Sequence, residues 1–171
     1  MYNLIRLNPD ERSVINLRRF LKENKEIISY PKENFHSTLS YTVETPIFQR
    51  EGILQKIESR LPITLSPESY FFDIFGKDDL VLRFKSSKVL EIKSEIMQEA
   101  IRYTMLDLPN ELSCRKIKIL RKFLEQRANR IYFDFNPHIT LAHSFDRSDL
   151  EKLTGFNEEI VFDSFDWNFK E

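Results

Sequence analysis

The 171-residue chain predicts one α+β domain over residues 1–171, built as two related halves with antiparallel-rich sheets flanked by helices. Three observations predict it. A nonamer nearly repeats: "NFHSTLSYT" over residues 34–42 and "NPHITLAHS" over 136–144 share Asn, His, Thr and Leu in step, with His36 and His138 lying 102 residues apart. Segments of period-two and helical periodicity alternate around each copy, with no linker or low-complexity stretch between them. The length is normal for a single domain and sufficient to bury a core.

The elements follow in order. Residues 2–7, "YNLIRL", predict a strand. Val14, Leu17, Phe20 and Leu21 form one apolar face of a helix over 10–24. Phe35–Thr42 alternates and is rich in Thr, Tyr and Phe, so the first nonamer reads as a strand. Thr45-Pro46 starts a helix whose stripe is Ile53, Leu54, Ile57 and Leu61. Tyr70–Phe75 and Leu80–Lys85 flank "GKDD" as a hairpin. Val89, Ile92, Ile96, Ala100 and Tyr103 mark a helix that Pro109 and Asn110 end. An inserted basic helical segment occupies about 107–130, with Ile117, Leu120 and Leu124 on its apolar side. Ile131–Phe145 carries the second nonamer as a strand. Ser148-x-x-Glu151 reads as a capping box for a short helix ending near Gly155, and Phe165, Trp167 and Phe169 alternate in a last strand. A pseudo-twofold arrangement of the halves brings the two nonamer strands together.

Composition removes several function classes. With three glycines, neither G-x-G-x-x-G nor G-x-x-x-x-G-K occurs, so no glycine-rich phosphate loop is available. No apolar run reaches a membrane span, and the N-terminus turns charged too early for a signal peptide. The single cysteine, Cys114, excludes an internal disulfide framework; with no histidine nearby in sequence it reads as inert. The expected location is the cytoplasm. Residues 115–130 hold seven basic residues against one acid, a local +6, leaving −7 on the rest of a chain whose total is −1. One basic segment on an acidic body favours a small or locally contacted anionic ligand over extensive nucleic-acid coverage.

Strand geometry gives the repeat a chemical meaning. Residues i and i+2 share a face. His36 and Thr38 therefore project together, with Ser40 next along, and His138 and Thr140 do likewise, while Leu39, Ile139 and Leu141 point into a core. If the strands are neighbours, two imidazoles and two hydroxyls converge. That set serves a metal-free phosphodiester reaction: a neutral imidazole takes a proton from water or a ribose hydroxyl, and a protonated one gives a proton to the departing oxygen. Thr hydroxyls donate to the non-bridging phosphate oxygens. No acidic cluster accompanies the histidines, so no metal or other cofactor is expected. His143, five residues from His138, faces away on a regular strand and reads as structural. Tyr70, Phe71, Phe72 and Phe75 are core by default, with Tyr70 and Phe72 as candidates to stack on a base. Arg115 and Lys118 are the candidate substrate contacts of the basic segment.

His36-Ser37-Thr38-Leu39 and His138-Ile139-Thr140-Leu141, on strands of a two-lobed α+β domain, resemble the two-histidine (2H) phosphoesterase superfamily, which includes LigT-like RNA ligases and phosphodiesterases. The resemblance covers nearly the whole chain. It implies His36 and His138 as the catalytic pair and Thr38 and Thr140 as phosphate holders. The short layout before the second motif resembles compact phage and poxvirus members, implying a cyclic or 2′-5′-linked signalling oligonucleotide of antiviral immunity as substrate, met in the host cytoplasm. The basic insertion departs from that pattern and leaves RNA end processing, through a 2′,3′-cyclic phosphate or as a LigT-like RNA ligase, as the alternative. A non-catalytic nucleotide-binding module is the third reading; the two intact motifs weigh against it.

Overall fold

The computed structural model describes residues 2–43, 47–106, 117–119, 122 and 135–170. The first half contains β1 (Tyr2–Pro9), α1 (Glu11–Glu23), β2 (Tyr30–Pro31), β3 (Ser37–Val43), α2 (Ile47–Glu58) and β4 (Ile63–Leu65). The second contains β5 (Tyr70–Phe75), β6 (Asp79–Phe84), α3 (Ser87–Leu106), β7 (His138–His143) and β8 (Ile160–Lys170). The strands form one antiparallel sheet in the order β4-β8-β1-β3-β7-β6-β5, with β2 also paired to β7. The nonamer strands β3 and β7 are central neighbours, joined at Ser37 opposite Ile139. Outward of β3 lie β1, β8 and β4, and outward of β7 lie β6 and β5. This is the pseudo-twofold relation expected from the repeat.

Local chemistry explains the elements. Asp10 caps α1, its side chain accepting from the Ser13 backbone N–H, with Glu11 in the first turn and Lys22 in the last complementing the helix dipole. Gly76 takes φ +64° in the β5–β6 turn, a conformation suited to glycine. The core lies on one face of the sheet. Ile5, Leu7, Leu39, Leu80, Leu82, Ile139 and Leu141 are fully buried there, together with Leu17 and Phe20 of α1 and Val89 and Ile92 of α3.

Some expectations change. The short strands β2 and β4 carry too few residues for alternation to be read, and pairing with β7 and β8 creates them. Helix α2 ends at Glu58, before Leu61. The second nonamer strand starts at His138, and β8 starts at Ile160, earlier than the aromatic alternation indicates. The helix over Arg147–Lys152 is 3-10, and its cap is Asp146, which accepts from both the backbone N–H and the hydroxyl of Ser148; the Ser148–Glu151 box is not the capping device. Thr45-Pro46, Pro109, Asn110, Cys114, Arg115 and most of the basic segment lie outside the described residues; Ile117–Ile119 and Lys122 are helical.

Candidate active site

Parity decides which side chains meet. Ser37, opposite Ile139 and Leu7, faces the core, so His36 and Thr38 lie on the other face, away from the helices. Ile139 and Leu141 are likewise buried, leaving half-buried His138 and Thr140 on the same open face. The sheet therefore brings the two His-x-Thr units together on one surface across its central strand pair. The His138 imidazole is near enough that its charge is among those opposing protonation of His36.

The two histidines are held differently. His36 precedes β3 and is half-exposed. Burial is the main cause holding its pKa below the usual 6.5; Arg6 adds to this, and Lys32 and His138 act the same way against an opposing contribution from Asp166. His138 is anchored through Nδ1, 2.9 Å from the Asn136 carbonyl oxygen. A carbonyl only accepts, so Nδ1 carries the hydrogen and Nε2 is the atom left for proton transfer. The ring also stacks on Phe75, centroids 4.4 Å apart and planes 28° apart.

Two arginines share the face. Arg6 stands opposite Thr38 on one side and Asp166 on the other, and its Nε is buried without a hydrogen-bond partner. Arg83 stands opposite His138, with Nε 2.9 Å from Asp73 Oδ2. Arg6, Arg83 and Phe75 are absent from the sequence-derived site. Their signal is alternation: Arg6 sits between buried Ile5 and Leu7, and Arg83 between buried Leu82 and Phe84, which forces each guanidinium to the open face. That this face is also the histidines' face depends on strand pairing.

The base-stacking expectation for Tyr70 and Phe72 is corrected. Both lie on the core face, opposite Phe84 and Leu82. The Tyr70 hydroxyl donates to the Glu158 carbonyl at 2.8 Å, and Phe72 stacks on Phe20 of α1 at 4.8 Å. The same alternation puts Phe71 on the histidines' face, half-exposed opposite Arg83. The backbone of Ser40 pairs with Ile5, beyond a register shift in β1; its side chain lies outside the described residues. Lys118 is exposed. His143 lies past a second register shift, so regular alternation does not reach it; its Nδ1 is 2.5 Å from Asp79 Oδ1. Among the described residues no group of three His, Cys, Asp or Glu side chains is close enough to hold a metal ion.

Two solved structures share this architecture over nearly the whole chain. LigT of E. coli in its apo form has a TM-score of 0.57 at 13% identity, covering 97% of this chain and 85% of LigT. A structure described as a phosphoesterase has a TM-score of 0.56 at 13% identity, covering 96% of this chain and 85% of the other. No family model matches the sequence, and no curated protein matches it. The likeness is one of fold alone: the chain has a LigT-like α+β fold.

Proposed function

We propose that the protein is a phosphodiesterase that cuts ribonucleotide linkages by general acid–base catalysis between His36 and His138. The observation that carries this reading is the meeting of two His-x-Thr units on one open face of β3 and β7. In the cleavage direction His36 is the base, since its burial and cationic neighbours favour the neutral imidazole. It removes the proton of the ribose hydroxyl next to the phosphate. That oxygen attacks phosphorus, a 2′,3′-cyclic phosphate forms, and the bond to the 5′-oxygen breaks. His138, with Nδ1–H held by Asn136, delivers a proton from Nε2 to the leaving oxygen. Opening of the cyclic phosphate by water uses the same pair with roles exchanged. Thr38 and Thr140 donate to the non-bridging oxygens, and Arg6 offsets their negative charge. The attacking hydroxyl is already adjacent to phosphorus, so proximity favours this route over direct hydrolysis.

The substrate classes this chemistry admits are cyclic or 2′-5′-linked signalling oligonucleotides, and RNA ending in a 2′,3′-cyclic phosphate. A panel of cyclic dinucleotides, 2′-5′ oligoadenylate and such RNA separates them when each of the first two is paired with an analogue lacking the vicinal hydroxyl; the cyclic-phosphate RNA, with both ribose oxygens already esterified, is followed by its opening by water. The expected result is turnover of a ribo substrate, none of its deoxy analogue, a cyclic phosphate among early products of internal cleavage, and activity that survives excess chelator. Equal rates on ribo and deoxy forms would mean direct attack by water. Binding without turnover of any substrate would leave a non-catalytic nucleotide-binding module.

A further inference from the structure

A groove of about 450 Å³ lies between the C-terminal end of α1 and the segment leading through β2. Its apolar lining is Leu21, Ile28 and Pro31; the rest is Arg18, Lys22, Lys25, Lys32 and Glu33. Four cations against one carboxylate make it strongly positive. Lys22, Lys25 and Lys32 form no ion pair with another described residue, whereas the Arg18 guanidinium donates to the Glu33 carbonyl at 3.3 Å and ties the two walls together. Helix-dipole complementation accounts for Lys22 in the last turn of α1. It does not account for Lys32, which is on a different element.

The groove opens on the α1 side of the sheet and reaches the histidines' strands at the β2 edge. The Lys32 backbone N–H donates to the Leu141 carbonyl at 2.7 Å, one residue past Thr140, and β2 pairs with Ala142 and His143 of β7. Lys32 is also four residues before His36 and bears electrostatically on it. One lysine thus belongs to both the groove wall and the surroundings of the catalytic pair. Nothing in the two-histidine chemistry requires Lys22 or Lys25.

We propose that this groove is a second phosphate subsite, holding on Lys22, Lys25 and Lys32 the phosphates of an oligonucleotide beyond the one at His36 and His138. The inference rests on the proposed function for the position of the cut phosphate, and it adds that the substrate is a chain with at least one further phosphate. Mononucleotides would leave the groove empty. The apolar lining suits the sugar edge or base that accompanies each added phosphate.

The test is binding, independent of turnover. Fluorescein-labelled tetradeoxyadenylate and labelled deoxyadenosine monophosphate, both lacking the attacking hydroxyl, are titrated with the protein and followed by anisotropy. The oligonucleotide should bind about tenfold more tightly at low salt. With two added phosphate contacts, its advantage should fall about sevenfold between about 50 and 200 mM salt. Lys22→Glu with Lys25→Glu should remove the advantage, while Lys88→Glu with Lys152→Glu, two exposed lysines outside the groove, should keep it. If circular dichroism shows that the reversal pair disturbs folding, Lys22→Ala with Lys25→Ala should still reduce the advantage severalfold. Equal affinity of wild type for the two probes, or an advantage that survives the groove substitutions, overturns the proposal. A chain-length advantage in a protein that turns over nothing would instead retain the groove and reject the catalytic reading.

Discussion

The two halves carry the same four-residue pattern in different surroundings. On the β3 side, burial, Arg6 and Lys32 hold the His36 pKa down against Asp166, which stands opposite Arg6; the Nε atoms of Arg6 and Arg83 are alike buried without a hydrogen bond. On the β7 side, Arg83 is matched by Asp73 at 2.9 Å, and His138 is held by the Asn136 carbonyl and the Phe75 ring. One motif is thus placed to stay neutral and to meet negative charge, and the other is placed for orientation. An acid–base pair needs one imidazole neutral while the other is protonated, and two interacting imidazoles titrate in two macroscopic steps that belong to the pair. In the proposed reaction the repeat supplies the groups, and the neighbours divide the labour.

Seven substitutions break or sharpen this comparison. His36→Ala and His138→Ala should have the largest effects, each lowering kcat by about 10²–10⁴-fold with the fold intact by circular dichroism, and the double variant should lose much less than the product of the two. Thr38→Val or Thr140→Val, nearly isosteric, should lower kcat by about 10²-fold, the order found when one preorganised donor is removed. Similar losses from both would mean that the phosphate is shared evenly between the halves.

The arginines test the asymmetry directly. Arg6 lowers the His36 pKa, so Arg6→Met should raise it, and Asp166 then acts without that counterweight. The base must be neutral to work. The acid limb of the rate–pH profile should therefore move to higher pH, and activity just below neutrality should fall. Arg83→Met, on the other half, should move that limb less. Equal movement would show that the two guanidiniums act as one field and would remove the distinction between the halves.

Phe75→Leu should have the smallest effect. Losing the stack on His138 should cost about 0.5–1.5 kcal/mol, a fall of up to about tenfold in kcat/KM, since the Asn136 hydrogen bond still holds the ring. A His36-like loss would make Phe75, rather than the carbonyl, the principal restraint on the imidazole.

The amino-acid sequence determined the α+β class, the two-strand motif, and the inward direction of Leu39, Ile139 and Leu141, because period-two alternation is local and one buried face specifies it. It also offered the groups proposed to move protons, since a twice-written His-x-Thr needs no partner to be recognised. Only tertiary structure decided the rest. The aromatics of 70–75 read as core by default, with Tyr70 and Phe72 as the stacking candidates; pairing with Phe84 and Leu82 puts those two on the core face, while Phe71 and Phe75, on the same strand, face outward. Arg6 and Arg83 are distant in sequence from one motif or the other and join the site through cross-strand register. Lys22 and Lys32 become one groove because the segment through β2 is tied to β7. A register shift in each of the β1–β3 and β6–β7 pairings also skips one residue, Leu39 and Leu141 respectively. Such shifts arise from the fit of one strand to another, and no single strand's residues carry them.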